Sequence, residues 1–333
     1  MNGFEEYKNK KKNLEVVRHN AQVCLDSNGE VRFNHVFIDL ARICNLKCHG
    51  CFKHLDKERN GERIAYKEVQ QVLDFAYERG ARVLVIAGAG EPTMDPDFKR
   101  IIEYTNERGM SSAVFTNGTT LNENLSDFIF GHNVTLVIKR FSVDEGKHDF
   151  LVGVNGASQA MLKGLEALVQ VKQRRERQGR QCHEIVIESY ISQENLEDLP
   201  GLLRYCRRMG FVPYFEAFIS NGNKHLEPSQ TQLTSVFEEL ARIDREEFGI
   251  DTKLKEGARV YGQSKCISGR AGFAVNVYGD VYECVSGKHR FGNIRKNTLP
   301  DIFSTGNQNI RDFYLNPCDG CNCSRAYSKL HAP

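Results

Sequence analysis

The sequence predicts an α/β protein: an open, partial parallel β/α barrel of about six βα units, followed by a small cysteine-rich C-terminal domain. Three observations predict it. Apolar, β-branched runs alternate with stretches of helical period from residue 35 to residue 220. Several of the helical stretches stop at a glycine, at Gly80, Gly109 and Gly210, as helix C-termini often do. After Gly222 the alternation ends and short, Gly- and Cys-rich runs take over.

Residues 1–35 read as an N-terminal extension, polar and Lys-rich at its start. Strands are expected over 36–40, 83–86, 113–115, 134–138 and 185–187, where Val, Ile, Leu and Phe dominate. Between them, helical periodicity marks 69–79, 98–108, 160–170 and 199–209. Short loops between strand and helix require parallel strands with crossover helices. Six units are too few for a closed eight-stranded barrel, so the barrel domain, 36–222, is expected to be open. The remainder, 223–333, starts with one helix over 230–248. Val275 to Tyr282 then reads as a hairpin around Gly279-Asp280. A region this poor in core residues needs a metal staple. The basic runs Lys8 to Lys12 and Arg174 to Arg177 read as solvated.

Composition bounds the function. Apolar residues are 40% and charged residues 26%, which excludes a disordered tail, a collagen-like repeat and a small disulfide scaffold. The net charge is +2, too weak a field to point to nucleic acid or anionic lipid. No apolar run of about 18 residues suggests a membrane span, and residues 1–12 lack the apolar stretch of a secretory signal. A cytoplasmic location is therefore expected. Eleven cysteines in a reducing compartment then need an explanation other than disulfides.

Cys44, Cys48 and Cys51 form C-x3-C-x2-C in the loop after the first strand. Three thiolates on one tight loop can hold three corners of a cubane [4Fe–4S] cluster. Zinc normally takes four protein ligands, so the competing reading is a zinc site completed by His49 or His54. The loop lies at the C-terminal end of a strand, where active sites gather in α/β folds.

This spacing, following the first strand of a βα series, resembles the radical SAM superfamily over residues 36–219. The resemblance implies that S-adenosylmethionine chelates the fourth iron through its amino and carboxylate groups. An electron from the cluster then cleaves the sulfonium and releases a 5′-deoxyadenosyl radical. One position departs from the family pattern. An aromatic residue usually precedes the last cysteine, whereas here it is Gly50, and Phe52 follows instead as the aromatic candidate beside the cofactor. Gly88-Ala89-Gly90-Glu91-Pro92 resembles the family's G-G-E-P segment. Glycine there lets the backbone approach a ligand, and a carboxylate can accept hydrogen bonds from an ammonium. Gly90 and Glu91 are thus candidate cofactor-binding residues, against the alternative of an ordinary turn. Asn117, within Thr116-Asn117-Gly118-Thr119, offers an amide suited to ribose hydroxyls. Ser142, in Phe141-Ser142-Val143-Asp144, resembles the serine of the family's S-x-D segment, whose implied contact is the nucleoside or the methionine end. Turn chemistry competes at both places. Glu188, Tyr190 and Ile191 on the fifth strand line the pocket by position alone.

The last third holds Cys266, Cys284, Cys318, Cys321 and Cys323. Ligands contributed as one, one and two, the last pair from a C-x2-C knuckle, would close a second [4Fe–4S] cluster. A structural zinc is the alternative, although zinc ribbons usually show two knuckles. A lone cysteine, then G-x4-C, then Phe291-Gly292-Asn293-Ile294 resembles the SPASM/Twitch domains appended to radical SAM enzymes. The cysteine number fits the shorter Twitch form, with Cys266, Cys284, Cys318 and Cys321 as ligands. Cys323 is then a bystander, a substitute for Cys321, or a hydrogen donor to a substrate radical. Cys24, Cys182 and Cys206 read as small hydrophobes.

The resemblance implies a radical SAM oxidoreductase or epimerase with two [4Fe–4S] clusters, S-adenosylmethionine and a flavodoxin- or ferredoxin-type reductant. Oxidation would need a general base, for which Glu188, Glu216, Tyr214 and Lys139 are candidates. Relatives that modify ribosomal peptides often carry a separate recognition domain, and the segment before Val36 is short for one. A small polar substrate (an aminosugar, aminocyclitol or nucleoside) is therefore expected ahead of a peptide. No nucleic-acid or membrane partner is expected. The alternative from another class is a zinc-stabilised binding module.

Overall fold

The structure is a computed structural model that describes residues 31–51, 53, 62–218, 224–251, 268–285, 289–304 and 306–315. In chain order its elements are β1 (His35–Ile38), α1 (Tyr66–Glu78), β2 (Val83–Ile86), α2 (Phe98–Glu107), β3 (Ser111–Thr116), α3 (Glu123–Gly131), β4 (Val134–Lys139), α4 (Glu145–Val152), α5 (Ala157–Arg177), β5 (Ile185–Ile191), α6 (Leu199–Met209), β6 (Val212–Ala217) and α7 (Gln230–Phe248). The C-terminal part adds α8 (Ser268–Ala271), β7 (Gly272–Val275), β8 (Asp280–Tyr282), β9 (Arg290–Asn293), α9 (Leu299–Ile302) and α10 (Gln308–Leu315). The architecture is the expected open, mostly parallel α/β arrangement. The chain divides into two compact units: the described parts of 1–43, 60–113 and 266–319, and those of 44–59, 114–265 and 320–333.

The first unit orders its strands β2-β1-β7-β8-β9. β1 pairs in parallel with β2 on one side (Val36 with Leu84) and with β7 on the other (Val36 with Phe273). A strand flanked on both sides this way is expected to be largely apolar, as β1 is from Val36 to Ile38, with the buried His35 as its first residue. β7 and β8 then form the predicted hairpin, antiparallel, with Val275 opposite Val281. The core is aromatic. Phe33 sits 4.7 Å from Phe273 and 5.0 Å from Phe303, and Phe75 stacks on Phe303 at 5.6 Å. Arg295 closes the edge of this unit on Glu68 of α1, holding that carboxyl below the usual carboxylate range.

The second unit orders its strands β6-β5-β4-β3. The register runs straight across, with Lys139, Glu188 and Tyr214 in one row and Tyr190 beside Glu216. Side chains in such a row share a face, as do those two residues further along. α6 and α7 bury Leu202, Leu203, Phe237 and Leu240 against Ile191 and Phe215. α7 matches its expected span because both ends are marked. Ser229 accepts from the Gln232 amide while the Gln232 side chain accepts from the Ser229 amide. Arg207 of α6 locks onto the buried Asp244 of α7 with two 2.7 Å bonds. α5 runs longer than the periodicity suggests. Its basic last turn, read as solvated, is held by α3: Arg175 bonds Asp127 at 3.1 Å, and Arg174 pairs with Glu123.

Candidate functional site

The cysteine loop is tied to α4. The Lys47 amide donates to the Val152 carbonyl and the His49 amide to the Leu151 carbonyl, both at 2.9 Å. These are carbonyls that a helix C-terminus leaves without intrahelical partners. Gly153 ends the helix in the left-handed region, at φ 67°, directly under the loop. A Cβ there would stand 2.5 Å from the Lys47 carbonyl oxygen. Leu46 plugs the loop into an apolar cluster of Phe141, Leu151, Val152 and Ala157, and Cys44, Cys48 and Tyr190 pack against the same cluster. Cys44, Cys48 and Cys51 are half-buried, and none of them forms a disulfide among the described residues. The Leu46 amide donates to the Cys44 sulfur at 3.4 Å, and the Cys51 amide turns back on the Cys48 carbonyl.

Burial, reinforced by Cys51 and Cys44, pushes the Cys48 thiol up to about 12. Three thiolates therefore cannot coexist here without added positive charge. A cubane supplies that charge, and the donor set fits it: three sulfurs, an amide aimed at one of them, and no fourth protein ligand required. Among the described residues, no three His, Cys, Asp or Glu groups converge on a single ion. A cubane does not need them to, because each thiolate takes a different iron. His49 does not complete a zinc site. Its ring packs edge-on against Phe150 at 4.6 Å, and Nδ1 faces Glu194 at 3.6 Å. His54 and Phe52 lie outside the described residues.

Around the loop stand the strand-end residues of the same unit. Asn117 donates to Asn45 of the cysteine loop at 2.9 Å and accepts from the Thr119 amide and hydroxyl; Asn45 donates in turn to the Thr119 hydroxyl. Asn117 thus braces the loop. Ser142 is buried and donates to Asp198 at 2.5 Å, while Lys147 holds the other Asp198 oxygen at 2.5 Å. Lys139 reaches Glu188 at 2.6 Å, and the Tyr214 hydroxyl donates to Glu216. All four candidate bases therefore lie on one face of β4, β5 and β6, as their register requires. Burial keeps the Glu188 carboxyl above its usual range despite Lys139. Glu188 and Glu216 hold the Lys139 ammonium above the ordinary lysine value against the cost of burial, so Lys139 is a cation here and not a base.

Of the three β5 residues expected at the pocket, Ile191 instead packs against α6 and α7 on the other face, and what sequence reasoning missed is the contact that Tyr190 makes with the cysteine loop. A Cβ on Gly50 would fall 2.6 Å from the Tyr190 Cζ. The available signal was the glycine itself, standing where an aromatic was expected.

In the first unit, Gly90 is packed so tightly that a Cβ would stand 2.1 Å from the Ile43 carbonyl oxygen. Glu91 is buried, and its carboxylate accepts from the Thr93 amide at 3.2 Å and the Thr93 hydroxyl at 2.6 Å, capping a short turn. Cys284 is buried just beyond the β8 end of the hairpin. Cys266, Cys318, Cys321 and Cys323 lie outside the described residues.

Comparison with known proteins adds the following. The radical SAM superfamily model matches residues 38–206, and SPASM, an iron-sulfur cluster-binding domain, matches 266–323. A cofactor-modifying protein for the tungsten-containing aldehyde ferredoxin oxidoreductase of Pyrococcus furiosus is 25% identical over 319 residues, 86% of this chain and 87% of that one. The PqqA peptide cyclase of Granulibacter bethesdensis is 24% identical over 307 residues, 85% and 78%. Streptococcus suis SuiB bound to its precursor peptide SuiA superposes with a TM-score of 0.64 at 16% identity, covering 92% of this chain and 71% of that one. Native anSMEcpe with bound AdoMet and the Kp18Cys peptide superposes at 0.65 and 16% identity, covering 89% and 95%.

These likenesses overturn the preference for a small polar substrate. That preference rested on the short segment before Val36. Yet anSMEcpe, a chain of comparable length by these coverages, carries a peptide in its solved structure, so that segment no longer argues against one. No helix among the described residues is long and apolar enough to cross a membrane.

Proposed function

This chain belongs to the radical SAM superfamily and carries a C-terminal SPASM iron–sulfur domain, and on that premise we propose that it modifies a residue within a peptide. The observation that carries the proposal is the likeness to a peptide cyclase along most of both chains, supported by the fold shared with peptide-bound SuiB and anSMEcpe. S-adenosylmethionine and [4Fe–4S] clusters, when bound, supply hydrogen abstraction from an unactivated C–H bond and an acceptor for electrons.

In this reading Cys44, Cys48 and Cys51 hold the cluster that meets S-adenosylmethionine, and Cys266, Cys284, Cys318 and Cys321 hold the auxiliary one. Gly90 is held against the Ile43 and Ala41 carbonyls with no room for a side chain, and the Glu91 carboxylate caps the turn that follows it. Asn117 fixes the cysteine loop through Asn45, and Ser142 fixes the β4–α4 turn through Asp198. Catalysis by the chain itself is mainly positioning and exclusion of water. Glu188 and Glu216, held against one lysine, are the groups on this face that could take a proton from the oxidised residue. The net reaction is a two-electron oxidation of the peptide, with epimerisation as the outcome if a thiol such as Cys323 returns a hydrogen instead.

The test is to incubate anaerobically reconstituted enzyme with S-adenosylmethionine, dithionite and synthetic peptides encoded by short reading frames beside its gene. A peptide substrate should raise 5′-deoxyadenosine formation and emerge lighter by two hydrogens, or, after epimerisation, unchanged in mass in H2O and heavier by one deuterium in D2O. Deuterium placed on the attacked carbon should appear in 5′-deoxyadenosine. If every such peptide leaves 5′-deoxyadenosine at background and unlabelled, the peptide reading fails.

A further inference from the structure

We propose that the Tyr190 hydroxyl donates a hydrogen bond to a sulfur of the iron–sulfur cluster seated on the cysteine loop, and that the absent side chain at Gly50 is what admits it. The inference rests on Cys44, Cys48 and Cys51 as the seat of that cluster and adds a residue from a distant strand to its surroundings.

Three observations converge on Tyr190. The first is steric. A Cβ at residue 50 would lie 2.6 Å from Cζ, 2.8 Å from Oη and 2.9 Å from Cε1 of Tyr190. The tip of the ring therefore rests on the backbone between Cys48 and Cys51, and only glycine fits there while the tyrosine stays. The second is packing. The ring lies 4.2 Å from Phe141 at an interplanar angle of 36°, and Phe218 meets it nearly edge-on at 5.7 Å. Tyr190 and Cys48 also pack against the same apolar cluster. Held on these sides, the ring has little freedom to aim its hydroxyl elsewhere. The third is the hydroxyl itself. Oη is buried, and no described group accepts its proton; the Gly50 amide that approaches the oxygen is itself a donor and leaves the phenol proton to be placed. A buried donor left unmade costs about 1–3 kcal/mol, so a phenol kept in this state beside three cysteines has an acceptor to reach. Cluster sulfurs are acceptors that sit within such a ring of ligands.

The consequence is a redox effect. Reduction makes the cluster more negative, so a hydrogen bond to its sulfur stabilises the reduced form and raises the potential. Tyr190 is on this argument a positioning and tuning residue, acting through the cluster and not on the substrate.

The experiment compares the reconstituted full-length protein with its Y190F variant, following the reduced-cluster EPR signal that S-adenosylmethionine perturbs. That perturbation singles out the N-terminal cluster from the auxiliary one. Y190F removes one oxygen and keeps the ring. Its midpoint potential should move to more negative values at unchanged iron and sulfide content, and the D2O-sensitive part of the Fe–S stretching spectrum should shrink. An unchanged potential in fully loaded Y190F overturns the proposal. Should Y190F fail to hold iron, 3-fluorotyrosine at position 190 keeps the ring and makes a stronger donor. The potential must then rise, and a potential equal to wild type overturns the proposal. If the wild-type protein shows no signal that S-adenosylmethionine perturbs, the seat itself is wrong, an outcome distinct from both.

Discussion

A thiol that burial and two neighbouring thiols hold at about 12 remains protonated at neutral pH unless a cation arrives, which makes Cys48 the loop cysteine to test. Cys48→Ala should abolish 5′-deoxyadenosine formation and remove one cubane from the Mössbauer spectrum while the auxiliary cluster stays; normal cleavage by this variant would refute the assignment. His148 offers a second test at the same scale. It is buried on α4, and its Nδ1 accepts the Phe141 amide at 3.2 Å. Burial, then Arg140, brings it down to about 4 from the ordinary 6.5. The folded state therefore keeps His148 neutral where the unfolded chain takes up a proton. Stability contributed by the neutral ring is complete above pH 6.5 and is lost as the pH falls toward 4, by about 2 kcal/mol at pH 5. His148→Asn, which keeps an acceptor near Nδ1 and cannot titrate, should flatten this part of the urea midpoint between pH 7 and pH 5. Equal slopes in the two proteins would show that the imidazole is not responsible.

The coupling between α4 and the cysteine loop passes through two backbone bonds and one glycine. Gly153→Ala adds a left-handed alanine, worth about 1–2 kcal/mol, and a Cβ only 2.5 Å from the Lys47 carbonyl. Gly156 is also left-handed, at φ 80°, but a Cβ there meets nothing within 4 Å, so Gly156→Ala carries the backbone cost alone. The expected result is a lowered melting temperature in both variants and reduced iron per chain only in Gly153→Ala. Equal iron loss in the two would show that the Lys47 contact does not position the loop. Elements of this kind were legible wherever local chemistry marks them, as Ser229 and Gly249 mark the ends of α7. The end of α5 was not. Arg174 and Arg175 read as a solvated run because their partners, Glu123 and Asp127, lie on another helix. The pairing of Gly50 with Tyr190 was hidden for the same reason: the sequence shows an absent aromatic on a loop and a tyrosine on a strand, and only the fold brings them together.

At the scale of the molecule, the three loop cysteines were legible because their ligand chemistry is written in spacing on one short segment. The partner of β1 on its second side was not, because parallel pairing leaves no mark on either strand. β7 turns out to be that partner, in register from His35 with Gly272 to Ile38 with Val275. The preference for a small polar substrate failed because it was inferred from a short N-terminal segment, and anSMEcpe, which this chain matches over 95% of its length, holds a peptide. The β1–β7 pairing sets what should happen when the auxiliary cluster is broken. Cys284 sits just past the β7–β8 hairpin, and Phe273 of β7 belongs to the Phe33, Phe75 and Phe303 core. Backbone pairing and aromatic packing, not iron alone, therefore hold β7 in place. Cys284→Ala removes one of four expected ligands and should lower iron from about eight to about four per chain, with far-UV circular dichroism little changed. 5′-Deoxyadenosine should still form, because the N-terminal cysteines are intact, but oxidised peptide should not accumulate without the second electron acceptor. Unchanged iron would remove Cys284 from the ligand set. Oxidised peptide formed at the wild-type rate on half the iron would show that the second cluster does not carry the substrate's electron.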